Sequence, residues 1–308
     1  MSADDISSDV IIRSARQDDI PGIYCLVEEA QFFTSKETLS AIMEYVGEEN
    51  FIVAEHFGQL IGCRVAVLLN ESTAFVGYFI VTKKYRGTKV AKRIARRILD
   101  IVGERNLLLW SVVERVQTNM KLGMKLASGN FKSIMVCTGK IDISKLRTGE
   151  VSDDASDPPI KILQKTDVDF ESLFAYDTSI HGIPRKKCLE IWLTKPTCTT
   201  LVAVADDGAV KGYGVIQDAP HYFSLAPLYA ESSAAMMSLL KALLETIPEG
   251  AEVEFFENPA CSIAAKVLQD NKNSLTQLSE MKLMFSKENV VMPDPERVFG
   301  VAHPILPV

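Results

Sequence analysis

The chain has 308 residues, 47% of them apolar and 24% charged, and a formal net charge of −7. That length suits two domains of ordinary size, each able to bury a core. The acidic balance argues against a nucleic-acid partner, and no apolar run reaches membrane-spanning length.

The first residues, Met1 to Asp9, are polar and acidic, with no apolar signal-peptide core. The expectation is therefore a soluble, cytoplasmic protein. Six cysteines are scattered without a C-x-x-C pair, and four histidines lack ligand spacing. Buried free thiols and no metal are expected.

In chain order, residues 10–16 (VIIRSAR) predict a first strand. Asp18 is placed to cap the next helix, with Pro21 in its first turn. Ser35 is placed to cap a second helix through Tyr45. Residues 51–69 hold two β-rich runs around Phe57-Gly58-Gln59, a hairpin pattern. A strand over 73–81 (TAFVGYFIV) leads into a basic turn and an amphipathic helix from about Val90 to Val102. A strand (107–112), a polar helical stretch to Ala127 and a β-like run (FKSIMVCTGKI) follow.

Apolar content collapses over 146–159, which ends in Pro158-Pro159 and carries a linker signature. After it the order repeats: a strand (IKILQK), helices through Ile180 and Leu193, and a hairpin (LVAVADDGAVKGYGVI). A helix from Ser233 to Ile247, a strand (AEVEFF), a helix from Pro259 to Asn271 and a strand (MKLMFS) complete it. Laid over the first hairpin, Gly208 matches Gly58, Gly212 matches Gly62 and Val215 matches Val65. Two copies of one α+β domain are inferred, 10–145 and 160–308, each built on a mixed sheet.

Chemistry concentrates in GYFIVTKKYRGTKVAKRIARRILD, residues 77–100. A strand ends at Val81, a turn rich in Lys, Arg and Gly follows, and a helix starts near Thr88 to Val90. The first N–H groups of a helix have no internal acceptors, and the helix dipole adds partial positive charge. Such an end suits phosphate or pyrophosphate. Gly87 allows close approach, and Arg86 and Lys89 add charge. On the helix, Val90, Ala91, Ile94, Ala95, Ile98, Leu99 and Val102 share an apolar face. Lys92, Arg93, Arg96 and Arg97 share the other, a solvated face or a further phosphate contact.

Here the chain resembles the GNAT superfamily of N-acetyltransferases, whose cofactor loop reads R/Q-x-x-G-x-G/A after a V-x-x-x-Y-R-G-like approach. Val81 and Tyr85-Arg86-Gly87-Thr88-Lys89-Val90-Ala91 follow it, with Lys89 in place of the middle glycine. The second half resembles the C-terminal GNAT-like domain of a tandem family. It carries Gly212-Tyr213-Gly214-Val215-Ile216, Pro227-Leu228-Tyr229-Ala230 and Val298-Phe299-Gly300. Tyr176-Asp177, Gly182 and Arg185 fit that family's D-x-x-x-x-G-x-x-R stretch.

The resemblance implies two tandem acyl-CoA N-acyltransferase domains with acetyl-CoA as cosubstrate, bound in the first. Backbone near Phe79 and Val81 would take the pantetheine arm, and Arg86, Gly87, Thr88, Lys89, Val90 and Ala91 the pyrophosphate. A neutral amine, of a small molecule or of lysine, would attack the thioester directly, with a base to remove its proton and a backbone N–H to polarise the carbonyl. The usual acid, a tyrosine, is replaced here by Asn119, and an amide cannot serve as a general acid. Glu114 and Tyr78 are the candidate catalytic groups. Their ordinary readings are a helix-start carboxylate and a core aromatic.

At the matching place the second copy has Ala226-Pro227-Leu228-Tyr229-Ala230-Glu231-Ser232-Ser233 and no basic glycine loop, so cofactor binding there is not expected. Asp177 and Arg185 are candidates to hold an acceptor's cation and carboxylate, or to form an internal salt bridge. An exposed edge strand would allow pairing into an oligomer. The competing function is a catalytically reduced acyl-CoA-binding or scaffold protein, favoured by Lys89 and Asn119. Arg86-Gly87 and the strand order favour the enzyme.

Overall fold

The computed structural model describes residues 9–145, 160–195, 197–290 and 294–306. The expected linker, 146–159, lies outside the described residues. The chain forms two compact units. One runs through Leu109 and takes in Phe285–Glu288 and the segment from Ile305. The other comprises Trp110–Met284 and Asn289–Pro304.

The first unit opens with β1 (Val10–Ser14), α1 (Ile20–Glu29) and α2 (Lys36–Val46). Ser35 caps α2 as expected, its Oγ accepting from the Thr38 N–H at 3.1 Å. Asp18 does not cap α1. The neighbouring Asp19 accepts from the Arg16 N–H and pairs with Arg13 at 2.6 Å, and Arg13 also pairs with Glu55. An arginine two strands wide in reach outbids a helix end for the carboxylate.

β2 (Phe51–His56) and β3 (Gln59–Leu68) form the expected hairpin, turning through Phe57 and Gly58, both at positive φ. β4 (Thr73–Val81) pairs antiparallel with β3. α3 (Val90–Val102) follows, and then β5 (Asn106–Val112) lies parallel to β4, giving the order β1-β2-β3-β4-β5. A right-handed strand–helix–strand crossover is what a parallel neighbour requires. The core on the α3 side gathers Val10, Ala54, Ile61, Val81, Tyr85, Val90 and Ile94. Leu99, expected on the apolar face of α3, is instead 53% exposed.

The second unit holds α4 (Val113–Lys121), β6 (Lys125–Leu126), β7 (Ser133–Gly139), β8 (Ile160–Gln164), α5 (Phe170–His181) and α6 (Lys186–Trp192). β9 (Cys198–Ala205), β10 (Val210–Ala219), β11 (Tyr222–Ala230), α7 (Ser233–Leu244) and β12 (Val253–Glu257) come next. α8 (Ser262–Asp270), β13 (Leu275–Phe285) and β14 (Val298–Val301) finish it. The strand order is β13-β7-β12-β14-β11-β10-β9-β8. β7 therefore sits between two strands from the far end of the sequence, antiparallel to both. The core is apolar and packed around α7, with Leu239, Leu240, Leu243, Phe255 and Phe299 fully buried.

The internal repeat is visible in atomic detail. A Cβ on Gly62 would come within 2.7 Å of the Ile80 carbonyl and 3.0 Å of Ile94 on α3. A Cβ on Gly212 would come within 2.6 Å of the Tyr229 carbonyl and 2.9 Å of Leu239 on α7. Each copy needs a glycine at that point so that its crossover helix can lie close on the sheet.

Candidate cofactor site

Between β4 and α3 the chain makes a short 3-10 turn, Lys83–Tyr85, and then a loop to Lys89. Tyr85 anchors the turn: its ring is buried and its hydroxyl lies 2.7 Å from His56 Nδ1. Arg86 Nε donates to the Val81 carbonyl at 2.9 Å, and Thr88 Oγ1 donates to the Tyr85 carbonyl at 2.7 Å. Gly87 has φ +80°, and a Cβ built there would meet nothing within 4 Å. The glycine is thus required by backbone conformation and leaves its outer side open.

α3 begins at Val90 with Lys89 at the cap position and no side-chain cap hydrogen bond. Among the described residues the Val90 N–H has a side-chain acceptor, Thr88 Oγ1 at 3.3 Å. By helix geometry the following N–H groups point outward from an end carrying partial positive charge. Lys83, Lys84, Arg86 and Lys89 are exposed around it. Chemically this is a receptor for a phosphate or pyrophosphate group.

Upstream, β4 carries a bulge. Cys63 pairs with Ile80 and Val65 with Gly77, so Tyr78 and Phe79 together face Arg64. Tyr78 has φ +47°, a left-handed conformation that costs a non-glycine residue about 1–2 kcal/mol. Its side chain repays this in the core. The ring packs on Phe32 and Phe51, and the hydroxyl donates to Thr34 Oγ1 at 3.1 Å. Phe79 next to it is 49% exposed. On its other edge β4 is paired with β5 only over Thr73–Phe75 and Asn106–Leu108. Beyond those three residues the ladder between β4 and β5 ends. Ile305 packs on Gly77.

The expected binding residues therefore gather in one unit: Phe79 and Val81 on β4, and Arg86 to Ala91 at the loop and helix start. Of the candidate catalytic groups, Tyr78 lies in this unit with its hydroxyl already engaged. Glu114 lies in the other, exposed in the first turn of α4. Asn119 donates to Ser111 Oγ at 2.9 Å, and Ser111 Oγ donates to the Val112 carbonyl, so the amide ties α4 to the strand before it.

Asp177 and Arg185 are brought together but buried. Arg185 reaches both carboxylate oxygens of Asp177, at 2.9 and 2.8 Å, and the Tyr213 hydroxyl donates to Asp177 at 2.5 Å. Burial works to raise the Asp177 carboxyl, but Arg185 outweighs it and holds it below the usual carboxylate range. His181 lies 3.6 Å from Asp177, and burial pushes it down to about 3, so it is neutral at pH 7. Among the described residues no group of His, Cys, Asp and Glu is placed to hold a metal ion. No helix of the described residues is long and apolar enough to cross a membrane.

The second copy differs at each point of this site. β11 passes into α7 through Glu231 and Ser232 alone, and Ser232 Oγ accepts from the Ala235 N–H, closing the helix end. β11 also has a bulge, between Leu225 and Leu228, but it contains Pro227, which has no N–H to offer. β11 pairs in parallel with β12 over only Phe223–Ser224 and Val253–Glu254. Where these strands part, β14 enters between them. It pairs antiparallel with β11 at Leu228 and Tyr229 and with β12 at Phe256 and Glu257. Asn258 fastens it, its N–H donating to the Phe299 carbonyl and its Nδ2 to Val298 and Pro295 carbonyls. Sequence reasoning noted the Val298-Phe299-Gly300 motif without giving it this place.

Two family models match the chain. One, described as the acetyltransferase (GNAT) family, covers residues 20–122, and one described as an acetyltransferase (GNAT) domain covers 173–300. Among solved structures, a candidate acetyltransferase from Pyrococcus horikoshii matches with TM-score 0.71 and 15% identity, over 96% of this chain and 95% of that one. A tandem GNAT protein from the clavulanic acid biosynthesis pathway matches with TM-score 0.65 and 13% identity, over 90% of this chain and 98% of that one. A GCN5-related N-acetyltransferase from Sphaerobacter thermophilus gives 0.60 and 12%, over 92% and 98%. At these identities the likeness is one of fold. No curated protein matches the sequence.

Proposed function

Since this chain is a tandem two-domain member of the GNAT acetyltransferase family, we propose that its first copy binds acetyl-CoA and transfers the acetyl group to a primary amine, and that its second copy binds no cofactor. The repeats 10–145 and 160–308 are taken as the two copies, joined through 146–159. The observation that carries this reading is the contrast between two equivalent helix starts. That of α3 lacks a side-chain cap and is ringed by cations beside Gly87. That of α7 is capped by Ser232 and faces Glu231.

Bound acetyl-CoA would supply an acyl group activated as a thioester. The residues fit it as follows. Arg86, Gly87, Thr88, Lys89, Val90 and Ala91 offer backbone N–H groups and positive charge to the pyrophosphate. Phe79 and Val81 offer β4 backbone on the edge where its ladder with β5 has ended. Tyr78 serves by the shape it gives the bulge rather than by its hydroxyl, which Thr34 engages. In the transfer the amine nitrogen bonds to the acyl carbon as the carbon–sulfur bond breaks. The amine proton goes to a base, and the thiolate regains one from water, because Asn119 has no proton to give. Glu114 is the candidate base as an exposed carboxylate. Asp177 and Arg185 are assigned to the fabric of the second copy, since each is the other's buried partner.

Calorimetric titration of acetyl-CoA into the full chain tests the reading. One site per chain, with thiol release on adding an amine acceptor, is expected. Binding without transfer to any amine would favour the non-catalytic binder that Asn119 suggests, and no binding at millimolar acetyl-CoA would sink both.

A further inference from the structure

Two buried or half-buried arginines meet acids: Arg13 meets Asp19 and Glu55, and Arg185 meets Asp177. Arg64 differs from both. It sits on β3 directly opposite the β4 bulge, half-buried, and makes no ion pair with any described residue. Its Nε is fully covered and has no hydrogen-bond partner. Its guanidinium carbon stands 4.5 Å from the centroid of the Phe79 ring, which is itself half-exposed. Burial lowers its pKa to about 10, so it is a cation at neutral pH.

A guanidinium over an aromatic face is attracted to it by its charge and still has N–H donors for an acceptor. An unpaired, partly desolvated charge is a standing cost that an anion relieves, and a planar fork favours a carboxylate. The corresponding strand of the second copy has Val215, which is uncharged, opposite its bulge. The cation thus goes with the copy that keeps an open site.

Resting on the function proposed above, we infer that Arg64, stacked on Phe79, receives a carboxylate at the reacting end of that site. Coenzyme A does not supply it there. Its phosphates belong at the loop after Val81, and its pantetheine arm is neutral up to the sulfur. The carboxylate belongs either to the acceptor, as in an amino acid, or to a dicarboxylic acyl group on the thioester.

The test uses the full chain, its variant Arg64→Gln, and thiol release as readout. Amino acids (glycine, β-alanine and 4-aminobutyrate) are compared with ethylamine, propylamine and glycinamide as acceptors of acetyl. Succinyl-CoA is compared with acetyl-CoA for binding by calorimetry. An acceptor carboxylate predicts at least tenfold higher kcat/KM for the acids, with Arg64→Gln raising their KM about tenfold and sparing both kcat and acetyl-CoA affinity. An acyl carboxylate predicts succinyl-CoA at least tenfold tighter than acetyl-CoA, a margin lost in Arg64→Gln. Either way the free variant melts no lower than the parent, because an unpaired charge has been removed. A purely structural arginine would lower the melting temperature and leave both preferences alone.

The inference falls if the parent protein shows no preference for acids in either arm, a comparison that needs no variant. It also falls if Arg64→Gln keeps the preference. If acetyl-CoA itself does not bind, the proposed function falls with it. If acetyl-CoA binds and the preferences are absent, only the role of Arg64 is overturned.

Discussion

The two parallel strand pairs of this protein begin alike and end differently. β4 leaves β5 after three paired residues, and β11 leaves β12 after two. In the first case the parted edge of β4 leads to a loop with Gly87 at φ +80° and an uncapped helix. In the second, β14 occupies the gap and bonds to both sides. A wedge between parting strands leaves backbone N–H and C=O groups unmatched, and such groups need partners. The second copy satisfies them with its own chain, and under the proposed function a cofactor would lie along the first. The proposed lack of cofactor binding in the second copy thus has a basis in its hydrogen bonding.

The comparison can be broken or sharpened by four changes. The largest effect is expected from Phe299→Ala in the middle of β14. Phe299 is fully buried against Phe255, so truncation should cost about 3–5 kcal/mol, read from chemical denaturation. A loss under about 1 kcal/mol would mean that β14 is a loose plug. Next, Arg86→Glu with Gly87→Glu should weaken acetyl-CoA binding at least a hundredfold, about 2.7 kcal/mol, by calorimetry. Gly87→Glu strains the loop at φ +80° by about 1–2 kcal/mol, but both positions are exposed, so the fold should persist in circular dichroism. Retained binding would move the cofactor away from this loop.

The third change concerns β12, where Glu254 and Glu257 are buried and burial pushes their carboxyls up to about 8 and about 7. Folding favours their neutral forms. The stability they lend is complete below about 4.5 and is lost as pH rises through 7 to 8. Glu254→Gln should raise stability at pH 9 by about 1–3 kcal/mol and do little at pH 4. An equal gain at both pH values would contradict the assignment. The smallest effect is expected from Lys89→Gly, which restores the family's glycine. Loss of one exposed cation should weaken acetyl-CoA about threefold, about 0.6 kcal/mol. A tenfold gain instead would show that the lysine crowds the pyrophosphate.

Much of this architecture was legible in the sequence because it is set locally. The hairpin at Phe57-Gly58, the cap at Ser35, the helix from Val90 and the basic loop all follow from short-range rules. What escaped depends on partners distant in sequence. A bulge exists only relative to a neighbouring strand, so nothing in TAFVGYFIV marks Tyr78 and Phe79 as doubled against Arg64. Arg64 itself reads as an ordinary polar residue in an alternating strand, and only the absence of an acid beside it sets it apart. Val298-Phe299-Gly300 is too short to announce where it pairs. Asp18 does not cap its helix, and Asp19, at the cap position, is engaged by Arg13 on another element. In the candidate site, the loop was found from its composition. Asp177 and Arg185 were found too, but whether they face a substrate or each other rests on burial, which spacing does not encode.

The position of β7 bears on how the protein is made. Both of its neighbours, β12 and β13, lie far downstream of it in the chain. During synthesis β7 leaves the ribosome with its two edges bare, and it stays so until Val253–Phe285 have followed. Its sequence, SIMVCTG, is apolar and rich in β-branched residues, the kind of segment that pairs with other copies when left unpartnered. A fragment cut at the sequence boundary between the repeats would carry that strand without its partners. Such a fragment is expected to aggregate, whereas the intact chain protects the strand once its last third is complete.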